Sequence, residues 1–197
     1  TDSITVATAD GTTQVVTVTM AGTNDAAVIS GTSTATLTES NVAQSASGTL
    51  AATDVDSATS FVAQTNVAGT NGYGHFSVDA AGQWTYTMDS AHNEFKAGQS
   101  YTDSITVATA DGTTQVVTVT MAGTNDAAVI SGTSTATLTE SNVAQSASGT
   151  LSASDVDSAT TFVAQTNVAG TNGYGHFSVD AAGQWTYTMD SAHNEFK

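Results

Sequence analysis

The chain has 197 residues, with 18 Asp or Glu against two Lys or Arg, a formal net charge of −16. That balance leaves no basic footprint for nucleic acid and excludes attraction to anionic membrane surfaces. There is no cysteine, so disulfides and thiolate sites are excluded, and no apolar run of about 18 residues offers a membrane span. Charged residues make up only 10%, against about 25% in an average domain. The missing polarity is supplied by hydroxyls, with 38 threonines. Threonine suits half-buried pleated surfaces and serves helices poorly. An all-β, acidic, extracellular protein is expected.

One unit is written almost twice. Thr1-Asp2-Ser3-Ile4-Thr5-Val6 returns as Thr102-Asp103-Ser104-Ile105-Thr106-Val107, a period of 101 residues (102 − 1). Over the 96 overlapping positions (197 − 101) three differ: Ala51/Ser152, Thr53/Ser154 and Ser60/Thr161. A period of this size fits an independent β-sandwich and is too long for a small solenoid repeat.

In chain order, residues 1–24 repeat the segment that later closes the unit, so they read as strands F and G of a preceding repeat. The joint Gly22-Thr23-Asn24-Asp25 follows. Strand A runs from Val28-Ile29 through Ala35-Thr36-Leu37-Thr38, strand B is Gly48 to Ala52, and strand C is Phe61 to Gln64. Strands D (Gly74 to Val78) and E (Gln83 to Met88) flank Asp79-Ala80-Ala81-Gly82, a hairpin signal with glycine placed for left-handed geometry. A single turn is expected between Ser90 and Lys96. Strands F (Asp103 to Thr109) and G (Gln115 to Met121) flank Ala110-Asp111-Gly112, and the joint returns as Gly123-Thr124-Asn125-Asp126. Seven short strands separated by turn signals predict an antiparallel Ig-like sandwich. One complete sandwich spans 25–124, and 125–197 supplies strands A to E of a following one. The two chain ends are complementary, lacking only counterparts of Ala97 to Tyr101. Strand addition to an open edge then predicts head-to-tail association of one molecule with the next.

Several stretches resemble the VCBS-type, cadherin-like repeats that build the extender regions of giant RTX adhesins on Gram-negative bacteria. They are the Gly-Thr-Asn-Asp-Ala joint, Gly48-Thr49-Leu50 followed by Asp54-Val55-Asp56, Val78 to Tyr86, and Tyr101 to Val107. The resemblance covers the whole chain and departs from the family in having Ala after the joint where Pro is frequent. It implies calcium at the domain junctions, export by type I secretion, a place on the bacterial cell surface, and a stiff spacer that serves adhesion or biofilm formation.

The strand order tests the calcium expectation separately. In a seven-strand sandwich the B–C, D–E and F–G loops share the end where the chain enters, which gathers Asp54, Asp56, Asp79 and Asp111 there. Glu39, Asp89, Glu94 and the start of F with Asp103 belong to the other end, beside the outgoing joint with Asn125 and Asp126. The next repeat brings Asp155 and Asp157 to the same place. The candidate ligands are therefore Asn24, Asp25, Glu39, Asp54, Asp56, Asp89, Asp103, Asp111, Asn125, Asp126, Glu140, Asp155 and Asp157. Hard oxygen donors in such number suit several Ca²⁺ ions better than Mg²⁺. The plainer reading of Asp79 and Asp111 is that of turn residues. Neither an EF-hand loop nor the RTX nonapeptide is present.

Catalysis has no support. His75, His92, His176 and His193 stand without a second histidine at ligand spacing, and no Gly-x-Ser-x-Gly elbow occurs. Trp84, Tyr86, Phe76 and Phe61 alternate as core residues do. Two functions remain: a calcium-stiffened extender whose partners are the neighbouring repeats, and a repeated low-affinity module binding glycans or a surface directly.

Overall fold

The computed structural model describes residues 1–195, and among them there are strands and turns but no helix. β1 (Asp2–Ala7) and β2 (Thr13–Val18) form a hairpin that pairs with nothing else. The complete unit follows with β3 (Val28–Gly31), β4 (Thr34–Thr38), β5 (Ser45–Thr53), β6 (Gln64–Ala68), β7 (Gly74–Val78), β8 (Gln83–Met88), β9 (Ser100–Ala108) and β10 (Thr114–Ala122). One sheet is ordered β3-β5-β8-β7-β6 and the facing one β4-β10-β9. The last stretch holds β11 (Val129–Gly132), β12 (Ser146–Ser154), β13 (Gln165–Ala169), β14 (Gly175–Val179) and β15 (Gln184–Met189). These make a single sheet ordered β11-β12-β15-β14-β13.

The core forms because alternate side chains of the two sheets point at each other. Leu50, Phe76, Trp84, Tyr86 and Met88 meet Ile105, Val107, Val117, Val119 and Met121, with Phe61 and Phe95 at the ends. The hairpin turn at 79–82 closes as expected: Gly82 takes φ 81°, Asp79 N–H donates to Gln83 O at 3.0 Å, and Asp79 Oδ1 caps Ala81 and Gln83. The region 90–96 carries only a turn, Phe95 N–H to His92 O at 2.9 Å.

Two strands differ from the expectation. Strand A is cut in two at Gly31, whose φ of 99° is open to glycine alone without strain. Its first half pairs antiparallel with β5, and after the turn its second half crosses to pair parallel with β10. Strand C is reduced to one isolated bridge, Phe61 to Thr109, just past the end of β9. The chain then passes to the other sheet, where β6 joins β7 through an irregularity at Asn66, φ 52°. Eight strands and a bridge thus replace the seven expected.

The repeats act as internal controls. Thr34–Thr38 is a strand because β10 is beside it, whereas the identical residues 135–139 have no such neighbour and form none. Secondary structure here follows from tertiary pairing, as β-propensity alone would not decide it.

A candidate metal centre between the sandwiches

The joint is built where two parallel strands finish together. Because β4 and β10 run side by side, Glu39 emerges next to Ala122, and its N–H donates to Ala122 O at 2.8 Å. Its carboxylate accepts from Thr124 N–H at 3.2 Å and from the Thr124 hydroxyl through the same oxygen. The other oxygen, Oε1, is buried without a partner, and the residue is 3% exposed.

The five-stranded sheet that follows the joint approaches with the loop after β12. Asp155 Oδ1 accepts the N–H groups of Asp157 (3.0 Å) and Ser158 (2.7 Å), which folds the loop and holds the Asp155 carboxyl below the usual range. Ser158 Oγ donates to Asn125 Oδ1 at 3.0 Å, tying loop to linker. Asp157 is 5% exposed with both oxygens unpartnered, and Asp126 Oδ2 is likewise orphaned. Burial pushes the Asp126 carboxyl up, and the charges of Glu39, Asp157 and Asp155 push it further. None of the ion pairs among the described residues involves these carboxylates.

The upstream joint repeats the pattern without a preceding sandwich. Asp54 Oδ1 accepts from Asp56 N–H (2.9 Å) and Ser57 N–H (2.6 Å), and Ser57 Oγ donates to Asn24 Oδ1 at 2.7 Å. Asp25 N–H donates to Asp56 Oδ2 at 3.2 Å. Asp111 accepts from Ala27 N–H at 2.9 Å, from Thr113 N–H and hydroxyl, and from the Thr109 hydroxyl, so it serves both turn and linker. These bonds, the Thr109 hydroxyl first, hold its carboxyl well below the ordinary range. Asp56 is exposed where its copy Asp157 is buried, and Glu140 is exposed where Glu39 is buried.

Two candidates are engaged elsewhere. Asp103 is fully buried beneath the β6–β7 loop. It accepts from the N–H groups of Asn71 (2.9 Å), Tyr73 (3.0 Å), Gly74 (3.2 Å) and Ser104 (3.1 Å), and from the Tyr86 hydroxyl at 3.4 Å. Five donors on one carboxylate make it an internal clasp. Asp89 pairs with His75 at 2.6 Å, as Glu94 does with His92 at 2.7 Å. The histidines thus have carboxylate partners and form no metal cluster.

Among the described residues no three His, Asp or Glu side chains already converge as a ready ligand shell. What marks the joint is chemical: the orphaned buried oxygens are those of Glu39, Asp126 and Asp157, with Asp54 Oδ2 at the upstream copy and one amide oxygen, that of Asn93. A buried carboxylate oxygen without a donor is costly unless a cation meets it. The residue types therefore fit a hard divalent cation. Sequence reading missed Thr124, Ser57 and Ser158. Thr124 carried a signal, since it stands inside the repeated joint motif.

Gly123 sets how closely linker and sandwich approach. A Cβ there would lie 2.7 Å from the Phe95 carbonyl carbon and closer still to its oxygen, whereas one at Gly22 meets nothing within 4 Å. Gly123→Ala should cost about 1–3 kcal/mol of central-sandwich stability, and Gly22→Ala should leave the melting midpoint unchanged. Thermal melts of the two variants side by side make the check.

A family profile for the bacterial cadherin-like domain matches residues 24–123, and one for a bacterial Ig domain matches 125–196. Neither describes a catalytic family. None of the curated proteins matches the chain. Among solved structures, one described as "Ca2+-stabilized adhesin helps an Antarctic bacterium reach out and bind ice" matches at 17% identity and a TM-score of 0.23. The match takes in 95% of this chain, which spans about half (47%) of that one.

Proposed function

Because the chain belongs to the bacterial cadherin-like domain family, we propose that it is a run of spacer repeats from a large bacterial surface adhesin. Ca²⁺ at the joints makes the run rod-like, and the rod carries a distal binding region away from the cell for adhesion or biofilm formation. The observation that carries this reading is the set of orphaned, mutually repelling carboxylate oxygens of Glu39, Asp126 and Asp157 where the central sandwich meets the sheet that follows it.

At the downstream joint Glu39, Asn125, Asp126, Asp155 and Asp157 would hold the cation. At the upstream joint Asn24, Asp25, Asp54, Asp56 and Asp111 would do so. Calcium supplies a hard cation that accepts six to eight oxygens at about 2.3–2.6 Å and tolerates irregular shells. The protein's own part is positional. Glu39 is fixed by Thr124, the 155–158 loop is folded by Asp155, and Ser158 holds the Asn125 amide. A cation that binds only the docked joint stabilises it by mass action.

The near-identity of the two copies supports a role repeated along a length. The alternative, a glycan-binding module, would need an aromatic platform. In the complete sandwich Phe76, Trp84 and Tyr86 are all in the core. Scattering and calorimetry in calcium and then in chelator test the proposal. With calcium the chain should be longer and stiffer and melt at higher temperature. Profiles indifferent to calcium would overturn it.

A further inference from the structure

Asn71-Gly72 stands in the β6–β7 loop of the complete sandwich, exposed to water and away from the joint acids. When glycine follows asparagine, the next backbone nitrogen reaches the side-chain carbonyl carbon with least obstruction, because glycine presents no Cβ. Gly72 is open in the folded loop as well: its φ is 73°, and an added Cβ would meet nothing within 4 Å. Crowding therefore does not protect the pair, and hydrogen bonds take that part. Gly72 N–H donates to Gly69 O at 3.1 Å, and Asn71 Nδ2 donates to Thr102 O at 2.7 Å. On either side, Asn71 N–H and Tyr73 N–H are held by the two oxygens of Asp103, at 2.9 and 3.0 Å. The nucleophile, the leaving group and the peptides that would have to rotate are all tied down.

We propose that Asn71-Gly72 is a self-modification site, shut by the Asp103 clasp while the sandwich is folded and released when it opens. In the open chain Gly72 N gives its proton to water or hydroxide and bonds to Asn71 Cγ. The Cγ–Nδ2 bond breaks and ammonia leaves, giving a succinimide. Water then adds to one of the two ring carbonyls and the C–N bond at that carbon breaks, leaving aspartate or isoaspartate at position 71. Neither product can remake the native loop. Both put an acceptor where a donor faced the Thr102 carbonyl. Isoaspartate also adds a backbone carbon between the two N–H groups that Asp103 holds. A repeat kept open long enough is thus marked, and it cannot close again as before.

The proposal is independent of the metal reading and is tested on the whole chain by mass spectrometry. The chain is incubated in mildly alkaline buffer, native or with guanidinium, and then cleaved after Lys96. That cut puts residues 71 and 172 in separate fragments, and further fragmentation separates Asn71 from the other asparagines. In guanidinium the mass gain of an amide turned acid should accumulate at residue 71. In native buffer it should be slower by about tenfold or more, because only the open fraction reacts. Asp103→Asn, which leaves the clasp one acceptor oxygen, should speed the native reaction. Gly123→Ala weakens the same sandwich with the clasp untouched, and at matched stability it should speed the reaction less. Equal rates in native buffer and guanidinium would overturn the proposal, as would the absence of reaction in guanidinium. Equal acceleration by the two variants would overturn the part given to Asp103.

Discussion

Asp103→Ala should abolish the cooperative unfolding transition of the central sandwich at room temperature or bring it close to its midpoint. The carboxylate is fully buried and takes hydrogen bonds from four backbone N–H groups and the Tyr86 hydroxyl. Removing it strands several buried donors at once, each costing about 1–3 kcal/mol. Together these losses take a large part of a total of about 5–15 kcal/mol. The site cannot be refilled from the facing loop, because Gly69 is the residue whose missing side chain makes room for the carboxylate. Asp103→Asn, which retains one acceptor oxygen, should fall between. Denaturant melts followed by Trp84 fluorescence in a Trp185→Phe background read the effect. The sequence provides the control: Asp2 occupies the same repeat position in an exposed hairpin, and Asp2→Ala should leave that transition unmoved. Equal effects of the two substitutions would show that the clasp contributes nothing.

The same residue shows how far sequence reading reaches. Loop topology assigns acids to the ends of strands, and so puts Asp103, which opens strand F, at a junction. Its parity says otherwise, since Asp103, Ile105 and Val107 alternate together and all three face inward. The same rule applied to Ala35, Leu37 and Glu39 points Glu39 into its buried position at the joint. Hairpins were legible because Asp79 to Gly82 and Ala110 to Gly112 carry their own turn chemistry. The break in strand A was not, because Gly31 sits within a continuous threonine-rich run. Which sheet receives each half is decided by β10, some eighty residues away in sequence. Strand C failed for a similar reason: Phe61 to Gln64 looks like one strand, yet its backbone reaches β9 only through Val62 N–H to Ala108 O, and the backbone of Gln64 already pairs with β7. The acids gathered at the joint were legible because the Asn-Asp motif repeats there and the order of the strands brings Asp54, Asp56 and Asp111 to the same end. Their roles within it were not, since hydrogen bonds from Thr124 and Ser158 decide which oxygens remain open.

Asp157→Asn should change the joint in opposite directions with and without calcium. Without metal, Asp157 is one of three acids whose charge weighs on Asp126, after the larger effect of burial. A carboxyl whose pKa is raised in the folded joint favours that joint below the ordinary value of 3.8. The benefit is lost as pH rises through the raised value. At neutral pH the metal-free joint is therefore strained by charge, and neutralising Asp157 should modestly raise its stability and return Asp126 toward its usual titration. With calcium the sign reverses, because the same substitution removes a charged ligand from the shell. Affinity at that joint should fall by about tenfold or more, as ligand charge sets calcium affinity over several decades. Asp56→Asn, the same position in the copy, should do far less, because Asp56 is exposed and accepts from Asp25 N–H. Calcium titration calorimetry gives the affinities, and melting in chelator gives the metal-free sign. If Asp157→Asn destabilised the joint in chelator and left calcium affinity unchanged, the orphaned oxygens would be ordinary solvated carboxylates. A reversal confined to position 157 would tie them to the cation, because residues 56 and 157 share a sequence environment and differ chiefly in the sandwich that precedes them.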